Sequence, residues 1–277
     1  MFSKVYLEIT NICNLNCSFC VGTSRKKKFI SVLDFEILAK KIRPHTEFLY
    51  FHLMGEPLLH PNLKELLDIS NNLAFKVIIT TNGVLLDKAS EILLSSPAIF
   101  KVNISLHSFE ANAGIDQNKY FNTCFDFADN SAKNDIVTVL RLWNNGGATS
   151  LNNKIKDMLV SRFDNEEWAK NSKGIRIRKK LFIEYGDKFD WPMHSDKCSD
   201  TIKCYGMKDH IGILCDGSVV PCCLDYDGAL SFGNLFDNTL EEILSTEKAV
   251  DFKISLDKKR APSQMFKTCG FAQSKFL

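Results

Sequence analysis

No apolar run in this 277-residue chain approaches the roughly 20 residues that a helix needs to cross a bilayer. No cleavable signal pattern precedes Cys13, so a secreted, disulfide-stapled protein is not the expectation. Charge of one sign is also missing. The 35 Lys and Arg nearly balance the 33 Asp and Glu, and the net +2 points to no particular partner. There is no internal repeat and no low-complexity tract. Apolar residues at 45% and charged residues at 25% are ordinary for a globular protein of one large domain, or one domain with a small appendage. Against this plain background stand ten cysteines. Without marks of secretion they fit a reduced cytoplasm and metal ligation.

Three of the ten crowd one loop, Cys13-Asn-Leu-Asn-Cys17-Ser-Phe-Cys20, directly after the strand-like run Val5–Thr10. Sulfur ligands at this density select zinc or iron–sulfur. A structural zinc site wants four protein ligands, and His45, His52 and Cys124, which could complete one, are all distant in sequence. Three thiolates instead suit a 4Fe–4S cube with one iron left open to bind and act on a ligand. The basic run Arg25–Lys28 lies close by. It is expected to be a solvated face, with an anionic substrate or nucleic acid as the alternative.

The first half alternates strand-like and helix-like stretches. Strands are expected at 4–10, 47–52, 75–80, 101–106 and 135–141, and helices at 31–42, 61–73 and 88–94. The helix at 31–42 has Ser31 as its cap and Asp34 in its first turn. Such alternation predicts an α/β fold of parallel βα units around one sheet or barrel. In barrels the chemistry gathers at the carboxyl ends of the strands. The cysteine loop, Gly55-Glu56-Pro57, Thr81-Asn82-Gly83 and His107-Ser108 all follow predicted strands. After a turn-rich break at 144–150, a helix is expected within 151–171 and one partly exposed strand at 175–182. From about residue 190 the character changes to a cysteine-rich segment, with a hairpin turn at Asp216-Gly217 and a helix running from Leu240 toward Phe252.

The spacing Cys13-x3-Cys17-x2-Cys20, with Phe19 before the last cysteine, resembles the signature of the radical S-adenosylmethionine (SAM) enzymes, and the resemblance extends over most of the chain. It implies a partial (β/α)6 barrel over 1–190 and a small α+β cluster-binding extension over 191–277. It also implies that Cys13, Cys17 and Cys20 hold the 4Fe–4S cluster that binds and splits SAM into methionine and a 5'-deoxyadenosyl radical, with the protein placing and tuning the cofactor. Leu53-Met54-Gly55-Glu56-Pro57 resembles the family's glycine–glutamate–proline segment, with Met54 where a second glycine is usual. By the same resemblance Phe19, Gly55, Glu56, Pro57, Thr80, Asn82 and Ser105 would contact the cofactor. Arg141 would fork onto its carboxylate. His107 is either a substrate contact or a structurally bonded histidine.

Cys204, Asp216-Gly217, Cys222, Gly233-Asn234 and Cys269-Gly270 resemble the SPASM/Twitch extension, which carries one or two further 4Fe–4S clusters. There is room for one. Its ligands by the resemblance would be Cys204, Cys222 and a terminal C-x2-C pair, but the partner of Cys269 is Phe266. Cys198 is the expected replacement. The alternatives are Cys215 or Cys223 as ligand, an open iron, or no cluster. Cys215 and Cys124 are expected in the core. Cys222 and Cys223, as strand neighbours pointing to opposite faces, are not expected to share one cube.

The resemblance implies a reductant such as flavodoxin or ferredoxin and a small-molecule or peptide substrate. The expected reaction is net oxidation, with the auxiliary cluster taking the substrate's electron and Arg141 or a lysine as base. Peptide cross-linking and a non-catalytic iron–sulfur scaffold or electron carrier are the alternatives. No RNA module is visible. The first strand starts almost at the first residue, which tilts the expectation toward a small molecule or short peptide.

Overall fold

The computed structural model describes residues 1–111, 114–164 and 168–274. Its strands are β1 Lys4–Leu7, β2 Phe48–Tyr50, β3 Lys76–Thr81, β4 Ile99–Ser105, β5 Val137–Asn145, β6 Ala169–Asn171, β7 Gly174–Arg178, β8 Leu181–Asp187, β9 His210–Ile213 and β10 Val219–Val220. They form one sheet in the order β10-β9-β1-β2-β3-β4-β5-β8-β7-β6. Every pair from β9 through β8 is parallel, whereas β10, β7 and β6 run antiparallel at the two ends. Strands β1 to β5 with β8 make the six staves of an incomplete barrel.

Helices α1 Val32–Ile42, α2 Leu63–Asn72, α3 Leu86–Ser95, α4 Gln117–Lys133 and α5 Asn152–Arg162 connect the staves. A parallel sheet covered by helices buries its strands, and β3 accordingly reads as the unbroken apolar run Val77-Ile78-Ile79, all buried. Helix α1 begins as expected, with the Ser31 hydroxyl accepting from the Asp34 N–H.

The cysteine-rich segment is not a separate body beside the sheet. Its strand β9 pairs in parallel with β1, Lys4 to His210 through Leu7 to Ile213, so one sheet runs through both halves of the chain. Helices α6 Leu240–Ser245, α7 Glu247–Asp257, α8 Gln264–Lys267 and α9 Gly270–Gln273 follow.

Four expectations need correction. The strand expected at 175–182 is two strands, β7 and β8, reversing through Lys180 at φ +66°. Helix α2 starts at Leu63 rather than Pro61, because Pro57–Leu59 already forms a 3₁₀ turn. The expected helix from Leu240 to Phe252 is broken at Thr246, whose hydroxyl accepts from Ala249 N–H and starts α7. Helix α4 was not expected at all.

The neck of the cysteine loop is tied to the extension by a buried ion pair. Glu8, fully buried, receives two hydrogen bonds from the Arg25 guanidinium at 2.8 and 2.6 Å, and another from Cys215 N–H at 3.2 Å. Arg25 Nε also donates to the carbonyl of Tyr226 at 2.8 Å. The ammonium groups of Lys27 and Lys28 donate to the carbonyls of Asn11 and Cys215. The basic run is therefore a brace between the two halves rather than a merely solvated face. Removing one partner of a buried pair strands the other charge. Arg25→Met is expected to cost about 3–5 kcal/mol in urea unfolding, with Glu8→Gln on the same chain restoring much of it. A loss below about 1 kcal/mol would mean that the pair behaves like a surface one.

Candidate active site and adjoining thiol cavity

The carboxyl ends of the staves open into a cavity of about 410 Å³. Its floor is the loop 13–20, with Cys13 and Cys20 exposed and Cys17 half-buried. Cys20 N–H donates to the carbonyl of Cys17 at 3.0 Å, closing a tight turn. Leu15 N–H approaches Cys13 Sγ at 3.5 Å and Asn82 Nδ2 approaches it at 3.9 Å, while Asn82 also bonds Asn14 at 2.8 Å. The loop rests on Gly55, at φ +77°, where an added Cβ would lie 2.5 Å from the Thr10 carbonyl oxygen. Glu56 N–H donates to Ile12 O at 2.8 Å and fastens the same contact.

Among the described residues no three His, Cys, Asp or Glu side chains converge tightly enough to hold a single metal ion. Of the side chains that could have completed a zinc site, His52 lines the cavity without joining the thiols in a metal-holding group, and the other two are engaged elsewhere. His45 pairs with Glu241 at 3.2 Å, and Cys124 is packed against Gly83 deep in the core. A donor set of three thiols with N–H groups aimed at sulfur fits a cube, which offers each thiolate its own iron.

Phe19, Gly55, Thr80, Ser105 and Arg141 line this cavity. Glu56, Pro57 and Asn82 stand behind its wall. The Glu56 carboxylate receives Leu58 N–H at 3.1 Å and Asn82 N–H at 2.7 Å, stapling the Gly55 turn to the end of β3. Burial pushes its pKa up to about 7 against those hydrogen bonds. Met54 is part of the lining. His107 Nδ1–H donates to the Arg141 carbonyl oxygen, 3.1 Å away, and its ring lies 5.1 Å from that of Phe19.

Arg141 lies 4.2 Å over the Trp143 ring and 4.0 Å from Glu184, and its Nε is buried without a hydrogen-bond partner. A buried guanidinium N–H left unpaired suits an anionic group entering the cavity. His52 Nδ1 is also buried and unpartnered, and burial, aided by Arg141, holds its pKa down to about 3. The folded chain therefore keeps His52 neutral where the unfolded chain takes up a proton. Stability from this site is complete above pH 6.5 and is lost as pH falls from there toward about 3. Urea midpoints should give His52→Gln a pH slope smaller than that of the parent by about 1.4 kcal/mol per unit between those limits. Parallel slopes would place His52 in water.

A second cavity of about 450 Å³ adjoins the first. His52, Arg141, Trp143, Phe189, Cys223 and Leu224 line both. Its own walls carry Cys204, Cys222 and Cys269, with Lys4, Tyr6, Tyr50, Lys203 and His210. Burial raises all four thiol pKa values, Cys269 to about 11. Cys198 is exposed and absent from this lining. Cys215 points away, its Sγ 3.1 Å from the Glu8 carbonyl. Trp143, Phe189 and Trp191 were not foreseen as site residues. Placing the end of the last stave at Asp187 rather than 182 would have set Phe189 and Trp191 at a strand end. A further cavity, at Asp129, Arg162 and Arg178, lies among paired surface charges and holds no thiol.

Residues 7–137 match the model of the radical SAM superfamily, and residues 204–270 match the SPASM iron–sulfur cluster-binding domain. The chain is 34% identical over 90 residues to the tungsten-containing aldehyde ferredoxin oxidoreductase cofactor-modifying protein of Pyrococcus furiosus, covering 30% of this chain and 24% of that protein. It is 32% identical over 111 residues to GTP 3',8-cyclase of Chlorobaculum tepidum, covering 38% of this chain and 33% of the relative. The matches thus span about a quarter to a third of these relatives. Among solved structures, BtrN in complex with AdoMet and 2-DOIA has a TM-score of 0.63 at 19% identity, covering 97% of this chain and 93% of that one. AdoMet-bound anSMEcpe gives 0.63 at 16%, covering 96% and 85%. Streptococcus suis SuiB bound to S-adenosylmethionine gives 0.58 at 16%, covering 98% and 70%. These likenesses are of fold.

Proposed function

We propose a function from one premise, that the chain belongs to the radical SAM superfamily and carries a SPASM iron–sulfur domain. It is a SAM-cleaving enzyme that abstracts hydrogen from a small molecule or peptide, with net oxidation assisted by an auxiliary cluster. One observation carries this function: three thiols on the floor of a cavity that Arg141 also lines, with its buried Nε lacking a hydrogen-bond partner. Cys13, Cys17 and Cys20 would hold the first 4Fe–4S cluster. When bound, cluster and SAM supply a 5'-deoxyadenosyl radical once an electron arrives from a reductant such as flavodoxin or ferredoxin.

The chain's own residues do the placing. The Gly55 turn, open at its backbone, brings the cavity wall against the loop. Thr80 and Ser105 offer hydroxyls at consecutive strand ends, and Arg141 draws a carboxylate to its side of the cavity. The rings of Phe19, Trp143 and Trp191 limit water around the cofactor. The second cavity seats the substrate beside its own thiols, with Lys4 or Lys203 as the group that takes the proton. A reduced cytoplasm suits ten thiols with no disulfide among them. Among the described residues no helix is long and apolar enough to cross a membrane.

The test is anaerobic reconstitution, reduction and addition of SAM, followed by chromatography. Formation of 5'-deoxyadenosine and methionine in equal amounts is expected. Their absence from a chain that has bound its iron would instead support a scaffold or electron carrier.

A further inference from the structure

We propose that Cys223 supplies the fourth thiolate of the auxiliary cluster, completing a set with Cys204, Cys222 and Cys269, so that the cluster is closed by protein and borders both cavities. The inference rests on the function proposed above for its cluster but not for its reaction.

The position that would normally pair with Cys269 is filled by Phe266. That ring is 1% exposed and packs 5.1 Å from Phe252, so nothing there can ligate. Four thiols nevertheless line the one cavity: Cys204, Cys222, Cys223 and Cys269. No other cysteine of the chain does. Cys198 lies outside on an exposed segment, and Cys215 is absent from the lining, its thiol donating to the Glu8 carbonyl at 3.1 Å.

The objection that neighbours on a strand point apart does not apply. Strand β10 ends at Val220, and Pro221 through Leu224 form a bend and turn, with Asp225 N–H returning to the Cys222 carbonyl at 3.3 Å. Leaving the extended conformation turns both side chains toward the same space. The cysteine at 204 is brought to them by Gly206. An added Cβ there would lie 2.9 Å from the Pro221 carbonyl oxygen, and its N–H donates to Cys204 Sγ at 3.3 Å. On the other side the Tyr6 hydroxyl bonds Cys223. Hydrogen bonds to sulfur of this kind accompany cluster thiolates. Cys223 also stands in the wall shared with the first cavity, so ligation there sets the cluster against the space where substrate is proposed to sit.

The experiment removes the first cluster with Cys13→Ala, Cys17→Ala and Cys20→Ala in the full chain, reconstitutes anaerobically, and counts iron and sulfide alongside EPR of the reduced protein. This background should bind about four irons. Adding Cys223→Ala should lower the count to about three or fewer and abolish the four-iron spectrum. Adding Cys198→Ala or Cys215→Ala should change neither. Should the alanine variant fail to fold by circular dichroism, Cys223→Ser is expected to keep the fold and shift the g values. Unchanged iron and an unchanged spectrum on replacing Cys223 would overturn the assignment, as would a folded background that binds no iron. If wild type cleaves SAM yet Cys223 is dispensable for iron, only the ligation fails. If Cys223 is required for iron but wild type yields no 5'-deoxyadenosine, only the proposed reaction fails.

Discussion

Cys17→Ala is expected to lower the iron of the reconstituted chain from about eight to about four and to reduce 5'-deoxyadenosine to background. Cys17 is the half-buried member of the trio, its thiol directed at the Ser108 carbonyl 3.9 Å away. It anchors the loop to the segment just after β4, so its loss removes a proposed ligand together with that tether. The four thiols of the second cavity are untouched, so about four irons should remain. Retention of about eight with intact SAM cleavage would mean that the loop does not hold the reactive cluster.

Gly55→Ala is the second large effect, through backbone rather than chemistry. At φ +77° a Cβ costs about 1–3 kcal/mol in conformation alone. The same Cβ would meet Thr10 O at 2.5 Å, Ile12 O at 2.9 Å and Asn11 C at 3.0 Å. All three are main chain, so no side chain can rotate away, and the strand end bearing the cysteine loop must shift. A loss above about 3 kcal/mol in urea unfolding is expected, together with poor incorporation of the first cluster. A variant as stable as the parent with full iron would show that the close approach is dispensable. Ala at the neighbouring Met54, which lines the cavity but makes no such approach, is the control.

Much of this was legible because buried parallel strands announce themselves as apolar runs and because the motifs fall where those runs stop. Val77-Ile78-Ile79, followed by Thr80-Thr81-Asn82, is an example. Ser31 marked the start of α1 by a side-chain cap that depends on local sequence alone. Helix α4 escaped because its sequence is rich in Asn, Asp and aromatic residues, weak helix formers held by burial of Tyr120, Phe121, Phe125 and Phe127 rather than by propensity. The β7–β8 reversal escaped because it turns on Lys180 in a left-handed conformation with no glycine to signal it.

At the site, the three-cysteine loop could be read directly, since its thiols are neighbours in sequence. The second cavity could not. Its thiols come from three segments of the extension, at Cys204, Cys222-Cys223 and Cys269, and the strand rule that set Cys223 aside does not apply where the chain has left β10. Glu56 shows the reverse limit. Its motif placed it correctly at the Gly55 turn, but only the fold reveals that its carboxylate is occupied by two backbone N–H groups.

The most direct test of the central claim is EPR of the reduced first cluster, isolated by Cys204→Ala and Cys269→Ala, recorded with and without SAM. An iron left open by three thiolates should bind SAM and change the spectrum. Identical spectra at saturating SAM, or a loop that takes up zinc in place of iron and sulfide, would contradict it.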